Sequence, residues 1–215
     1  CELIGIFSHF ACADDPHDKM NALQLERFEE GIGHFEKLGA PIPMRHIANS
    51  GAILHQPKSF FDMVRPGILL YGIQPDAKSL VELELKRSLS LKAKTVFQKG
   101  MWKGQTVSYG ATWKATKNTW ISTLPIGYGD GFMRSLSGKA EIIYEGKRFP
   151  VVGKICMDQM MIESPEKCLP NDAEVTLIGM NGSEVITVEH LADQAQTIPY
   201  EILTNLNSRL PRYYS

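Results

Sequence analysis

Hydrophobic positions in the first third of the chain alternate between strand-length runs and one helical stripe. Leu3 to Phe10 is an apolar run of strand length, and Asp14-Asp15-Pro16 then marks a loop. Met20, Leu23, Phe28, Ile32, Phe35 and Leu38 fall on one helical face, which predicts an amphipathic helix stopped at Gly39. Met44 to Ala48 reads as a second short strand. Asn49 or Ser50 is placed to cap a helix opening with Ser50-Gly51-Ala52-Ile53-Leu54. Met63 to Tyr71 reads as a third strand. A β-α-β-α-β order needs a parallel sheet, because each helix serves as a crossover. Three strands cannot close a barrel, but they suit the last part of an eight-stranded (β/α) barrel.

The pattern changes near Gln74 to Ser79, and from Val81 onward the chain is strand-rich. Leu89, Leu91 and Ala93 alternate with Ser90, Lys92 and Lys94. Ile142 to Phe149 reads as a hairpin turning at Glu145-Gly146. Val175 to Ile178 and Val185 to Val188 flank a turn at Asn181-Gly182, the strongest short hairpin signal in the chain. Thr187 is placed to cap a helix over His190 to Gln196, and a second helical stretch lies near Tyr200 to Leu206. The fold class is therefore α/β plus all-β. Residues 1–78 read as the C-terminal part of a (β/α)8 barrel and 79–215 as a β-rich C-terminal domain.

Composition narrows the function classes. With 215 residues, 43% of them hydrophobic, and a net charge of -1, the chain can bury a core. Charges of both signs are mixed, so no basic stripe recommends nucleic acid. No apolar run reaches the roughly 18 residues of a membrane span. Cys1, Cys12, Cys156 and Cys168 form no CxxC pair, which suits unpaired thiols in a reducing, cytoplasmic setting. His9, His17, His34, His46, His55 and His190 are scattered without HExxH spacing, so no metal site is expected. The chain opens in mid-strand without an initiator methionine, and we expect a preceding segment.

Several residues could carry chemistry. Ser50 at a helix start suits a phosphate group, or is an ordinary cap. Gly67 and Ile68 offer backbone amides after Pro66, or form a plain turn. Both loops follow strands, so both would lie on the carboxyl-end face where (β/α) barrels bind ligands. Arg65 would supply a permanent cation beside them, or pair on the surface with a carboxylate such as Asp62. His9 could hydrogen-bond on the same face, or be structural. Tyr109, in Ser108-Tyr109-Gly110, is the best acid/base candidate, against a half-buried strand aromatic. Tyr128 is a second phenol, in the glycine-rich run Ile126 to Gly131, which lacks GxGxxG order. Cys156 with Asp158 could make a thiol nucleophile, but no histidine partner is evident.

Seven segments, in order, resemble motifs of the bacterial alanine racemases, fold-type III pyridoxal-phosphate enzymes. They are Ser8-His9-Phe10-Ala11, Ala48-Asn49-Ser50, Val64-Arg65-Pro66-Gly67-Ile68, Ser108 to Thr112, Pro125 to Gly131, Val152 to Gln159, and Tyr200-Glu201-Ile202. The resemblance covers essentially the whole chain. It implies interconversion of L- and D-alanine with pyridoxal 5′-phosphate, supplying D-alanine for peptidoglycan. Ser50, Gly67, Ile68 and Tyr200 would hold the phosphate. Arg65 would meet the pyridine nitrogen, with His9 behind it. Tyr109 would handle the α-proton of the L-enantiomer, Met157 would contact the substrate carboxylate through its backbone N–H, and Tyr128 would narrow the entrance. Tyr109, Tyr128 and Met157 would act across the interface of a homodimer.

One departure matters. Moving a proton off one face of a carbon and back onto the other needs two bases, and the family's second base is the lysine that anchors the cofactor. Its Val-Val-Lys-Ala-Asn-Ala-Tyr-Gly motif does not occur here; Lys19, Lys37 and Lys58 sit in unrelated contexts. This chain alone is therefore expected to be inactive, with the missing N-terminal half of the barrel as a required partner. Alternatives are a non-catalytic dimerising or binding module, for which the missing lysine speaks, and a racemase acting on serine. A hydrolase using Cys156 is more distant.

Overall fold

The computed structural model describes residues 2–75, 81 and 83–214. The chain divides into two compact units, Cys1–Ser88 and Leu89–Ser215. The boundary expected at residues 78/79 lies outside the described residues.

In the first unit, β1 (Ile6–Phe7) pairs in parallel with β2 (Arg45–His46), Ile6 opposite Arg45 and Phe7 opposite His46. Between them runs α1 (Lys19–Lys37). Asp18 starts it by accepting the Met20 N–H at 2.8 Å. It stops at Leu38, and Gly39 follows in the left-handed region (φ 67°), as the sequence suggested.

The buried stripe of α1 differs from the expected one. Phe28 and Ile32 are buried with Phe10, Ile47, Ala48 and Ala52, and Leu25 packs against them. Met20, Leu23 and Leu38 are exposed. Asn21 takes the inward place instead, because its Nδ2 donates to the carbonyls of Cys12 and Asp15 at 3.2 and 2.9 Å and ties the preceding loop to the helix.

β2 leads into α2 (Ser50–His55), whose cap is Asn49; its Oδ1 accepts the Ala52 N–H at 3.1 Å. The third strand expected over Met63 to Tyr71 is not formed. Residues 62–65 run beside β2 through two backbone–backbone bonds rather than a ladder, Asp62 N–H to the Arg45 carbonyl at 3.1 Å and Arg65 N–H to the Ala48 carbonyl at 3.0 Å. Pro66 then removes a donor, and Ile68–Tyr71 winds into a 3-10 turn closed by Gly72 (φ 74°). A Cβ on Gly72 would lie 2.1 Å from the Lys86 carbonyl oxygen, so glycine is required there.

The second unit is β-rich. Its strands are β3 (Leu91–Lys94), β4 (Phe97–Met101), β5 (Thr106–Val107), β6 (Trp113–Lys114), β7 (Thr119–Leu124), β8 (Glu141–Tyr144), β9 (Lys147–Val152), β10 (Met160–Ser164), β11 (Glu174–Asn181) and β12 (Glu184–Ile186). An eight-stranded antiparallel sheet runs β12-β11-β8-β9-β10-β7-β4, and β3 also joins β11. Consecutive β3 and β4 thus pair with different partners, β11 and β7. β5 and β6 form a separate ribbon. The β8–β9 hairpin turns at Glu145 (φ 49°) and Gly146 (φ 70°), as expected. In the β11–β12 hairpin Asn181 pairs with Glu184, so the turn is Gly182-Ser183, one residue later than read from sequence.

Inward side chains of the strands make the core, with Ile142, Ile143, Met160, Ile162 and Leu177 fully buried. α3 (Val188–Ala195) is capped by Thr187, whose Oγ1 accepts the His190 N–H at 3.0 Å. α4 (Pro199–Asn205) follows with proline in its first turn. No helix among the described residues is long and apolar enough to cross a membrane.

Candidate active site

The first unit gathers five of the expected residues on the loops after its short strands. Ser50, the first residue of α2, is buried, and its Oγ accepts the Gly67 N–H at 2.9 Å. That bond joins the α2 start to the turn after Pro66, beside buried Ile68. Two residues before Gly67, Arg65 is held from several sides. Nη2 donates to the Ser8 carbonyl at 2.8 Å and approaches His9 Nδ1 at 3.2 Å and the Ile47 carbonyl at 3.4 Å. Nη1 donates to His46 Nδ1 at 2.5 Å. The guanidinium also lies 6.0 Å from the Phe7 ring centroid, and that ring stacks on His46. Among the described residues Nε–H and one Nη1 hydrogen remain for a ligand.

Asp62, the surface partner weighed for Arg65, is engaged elsewhere. It takes the Arg45 Nε and Nη2 donors at 2.8 and 3.1 Å, and those bonds hold its carboxyl below the ordinary range.

His46 was not singled out in the sequence. Burial pushes its imidazole below the ordinary histidine value, and the Arg65 cation pushes the same way. Its neutral Nδ1 is thereby kept as the acceptor for Arg65. His9 meets Arg65 through Nδ1 and Asn49 Nδ2 through Nε2, each at 3.2 Å. A neutral ring has one accepting nitrogen, so only one of these donors is taken up at a time.

The second unit places Tyr109, Tyr128 and Met157 around one segment, residues 153–158. Tyr109 is not a strand aromatic. It lies in a 3-10 turn between β5 and β6 and is 72% exposed. The turn is unusual, because Ser108 (φ 69°), Gly110 (φ 74°) and Ala111 (φ 47°) all lie in the left-handed region. Ser108 Oγ donates to the Lys154 carbonyl at 2.6 Å and so fastens the turn. Gly153 lets it approach, since a Cβ there would stand 2.7 Å from Ser108 Cβ.

Tyr128 begins a second 3-10 turn. Its N–H donates to the Cys156 carbonyl at 3.0 Å, and the Gly129 N–H donates to the Met157 carbonyl at 2.8 Å. Both Tyr128 and Met157 are about half exposed. Tyr200 lies in the first turn of α4. Asp158, weighed as a partner for Cys156, is bound instead by Arg209 Nη2 at 2.7 Å. Arg209, which follows α4, was not singled out in the sequence either.

Chemically, the first unit offers a fixed cation, a buried hydroxyl and a glycine turn in one place, and the second an exposed phenol on a rigid turn. The Ser50 hydroxyl hydrogen and the remaining Arg65 N–H donors can take an anionic group there.

Comparison with known proteins gives the family. The family model for "Alanine racemase, C-terminal domain" matches residues 88–214, and that for "Alanine racemase, N-terminal domain" matches residues 1–75. An alanine racemase of Carboxydothermus hydrogenoformans is 43% identical over 216 residues, 99% of this chain and 58% of the relative. Alanine racemase 1 of Bacillus subtilis is 41% identical, over 98% of this chain and 53% of the relative. The crystal structure of alanine racemase from Bacillus anthracis with bound L-Ala-P superposes with a TM-score of 0.95 at 37% identity, covering 100% of this chain and 55% of that one. Alanine racemase from Bartonella henselae with covalently bound pyridoxal phosphate gives a TM-score of 0.86 at 31% identity, covering 100% of this chain and 57% of that one. The chain thus spans little more than half the length of these relatives.

Proposed function

The chain belongs to the alanine racemase family, and from that premise we propose that the protein interconverts L-alanine and D-alanine with pyridoxal 5′-phosphate, supplying D-alanine for peptidoglycan in the cytoplasm. In this reading the first unit is the C-terminal part of a (β/α)8 barrel. The observation that carries the proposal is the Arg65 cluster: a guanidinium held by the Ser8 carbonyl and His46, two residues from a glycine N–H bound to buried Ser50.

When bound, the cofactor supplies a ring that withdraws electrons from the substrate α-carbon. Arg65 keeps a permanent positive charge at the pyridine nitrogen, which disfavours protonating it and limits side reactions. His46 and His9 hold that guanidinium in place. Ser50, Gly67, Ile68 and Tyr200 receive the phosphate, and the Tyr200 phenol keeps the substrate pocket small enough to favour alanine over serine. Tyr109 holds or accepts the α-proton on one face through its hydroxyl. The Met157 backbone N–H receives the substrate carboxylate, and Tyr128 narrows access. A proton must also move on the opposite face. That base is a lysine borne on a stretch equivalent to the part of the relatives' length this chain does not span. Tyr109, Tyr128 and Met157 serve the first unit of a second copy, so the active form is a homodimer with composite sites.

The test is oxidase-coupled detection of D-alanine formed from L-alanine by protein that includes the lysine-bearing stretch. D/L exchange that falls sharply in Tyr109→Phe is expected. No exchange in such a protein with Tyr109 intact defeats the assignment.

A further inference from the structure

Arg209 follows α4 and reaches back to two separate turns of the second unit. Its Nε donates to Asp130 Oδ1 at 2.7 Å and its Nη2 to Asp158 Oδ1 at 2.7 Å. Asp130 is itself a tie: its Oδ2 accepts the Gly127 N–H at 2.9 Å, and its backbone carbonyl accepts the Asn207 N–H at 2.9 Å. These bonds span the turn that carries Tyr128 and the segment that carries Met157, which already share the two backbone bonds described above. Gly129 leaves room for the guanidinium, since a Cβ there would meet Arg209 Nη2 at 2.7 Å.

We propose that Arg209 is a positioning residue that locks the Tyr128 turn against the Met157 segment. The two arms differ physically. The Asp158 carboxylate is largely in water, where an ion pair contributes little. Asp130 is only 7% exposed, so losing its cationic partner leaves a carboxylate in a poorly solvated place with, among the described residues, the Gly127 N–H as its remaining side-chain partner. A planar, forked guanidinium can reach both carboxylates at once, and a lysine ammonium is a single point charge. For catalysis the inference rests on the racemase reading, in which the Met157 N–H receives the substrate carboxylate; the structural lock does not.

Residue-resolved hydrogen exchange separates the two. In Arg209→Gln the amides of Tyr128 and Gly129 should exchange about tenfold faster, the loss of one charge-assisted bond, with amides of β7 and β10 unchanged. Asp158→Asn, which removes only the exposed arm, should raise the same two amides by about two- to threefold. Arg209→Lys should restore part of the protection. In the racemising protein, Arg209→Gln should raise KM for both enantiomers with kcat within about twofold, the pattern of lost uniform binding. Unaltered exchange at Tyr128 and Gly129 overturns the proposal. So does uniform loss across the sheet in Arg209→Gln without a local change in Asp158→Asn. Local loosening in a protein that shows no racemisation sustains the lock and defeats the functional reading instead.

Discussion

Arg65 Nη1 donates to Nδ1 of His46 at 2.5 Å, so that ring nitrogen must be unprotonated for the pair to exist. Burial and the adjacent cation hold the imidazole below its ordinary 6.5. The sign for stability follows by linkage. Above pH 6.5 the ring is neutral folded and unfolded alike, so the shift has no effect there. As pH falls below that value the unfolded chain takes up the proton and the folded one resists it, so stability declines until the folded ring also titrates. Thermal melts of the wild-type protein should therefore lose stability on acidification below about pH 6.5, and His46→Gln should remove that part of the slope. Superimposable pH profiles for the two proteins would show that His46 is not held neutral.

Ser50 and Gly51 at the start of α2 should fail in different ways when altered. Ser50→Ala removes the acceptor of the Gly67 N–H, at a cost of about 0.5–1.5 kcal/mol in urea unfolding. If Ser50 also receives the cofactor phosphate, pyridoxal 5′-phosphate affinity should drop beyond what the stability loss explains. Gly51→Ala instead drives a Cβ to 2.7 Å from the Ala13 backbone and 2.8 Å from Asp14 Oδ1. Overpacking of that kind costs about 1–3 kcal/mol. A Gly51→Ala protein as stable as wild type would mean that the 13–14 loop yields easily.

What the sequence made legible was what local chemistry decides. Gly39, Glu145-Gly146 and Thr187 ended, turned or capped their elements as read, because a left-handed φ or a side-chain cap is a property of a few neighbouring residues. The third strand failed because Pro66 and the Ile68–Tyr71 turn outweighed an apolar run, and a ladder depends on a partner that periodicity does not name. The α1 stripe shifted because Asn21 won a buried place through two carbonyls in a loop before the helix. The Arg65–His46 contact spans 19 residues and the Arg209–Asp130 contact 79. Such pairs depend on register and on the path of the chain, so motif resemblance could put His9 behind Arg65 but not His46 beside it.

Tyr109 should separate activity from stability. Its side chain projects from a turn fixed by Ser108 and Gly153, and it is 72% exposed. Tyr109→Phe removes only the hydroxyl, so unfolding free energy should stay within about 0.5 kcal/mol of wild type. If the proposed racemase reading holds, Tyr109→Phe should lower racemisation by about 10²–10⁴ in a protein that racemises alanine, the usual contribution of a positioned acid or base. Full activity in Tyr109→Phe would transfer the proton role elsewhere; a matching loss of stability would make the residue structural.

Gly127 and Gly138 are both glycines in turns, yet the structure gives them opposite reasons. Gly138 has a φ of 68°, and a Cβ there would meet nothing within 4 Å, so Gly138→Ala incurs only the left-handed penalty of about 1–2 kcal/mol. Gly127 has an extended φ of -153°, which any residue adopts, but a Cβ there would lie 2.2 Å from the Cys156 carbonyl oxygen and 2.5 Å from that of Met157. Neither oxygen can retreat without breaking the bonds that the Tyr128 and Gly129 amides make to them. Gly127→Ala should therefore cost about 3 kcal/mol or displace the segment bearing Met157. In a racemising protein it should also raise KM for alanine, which Gly138→Ala should leave alone. Paired urea titrations of the two variants decide the matter: equal costs would mean that the backbone at residues 156 and 157 shifts cheaply to take a methyl group at 127.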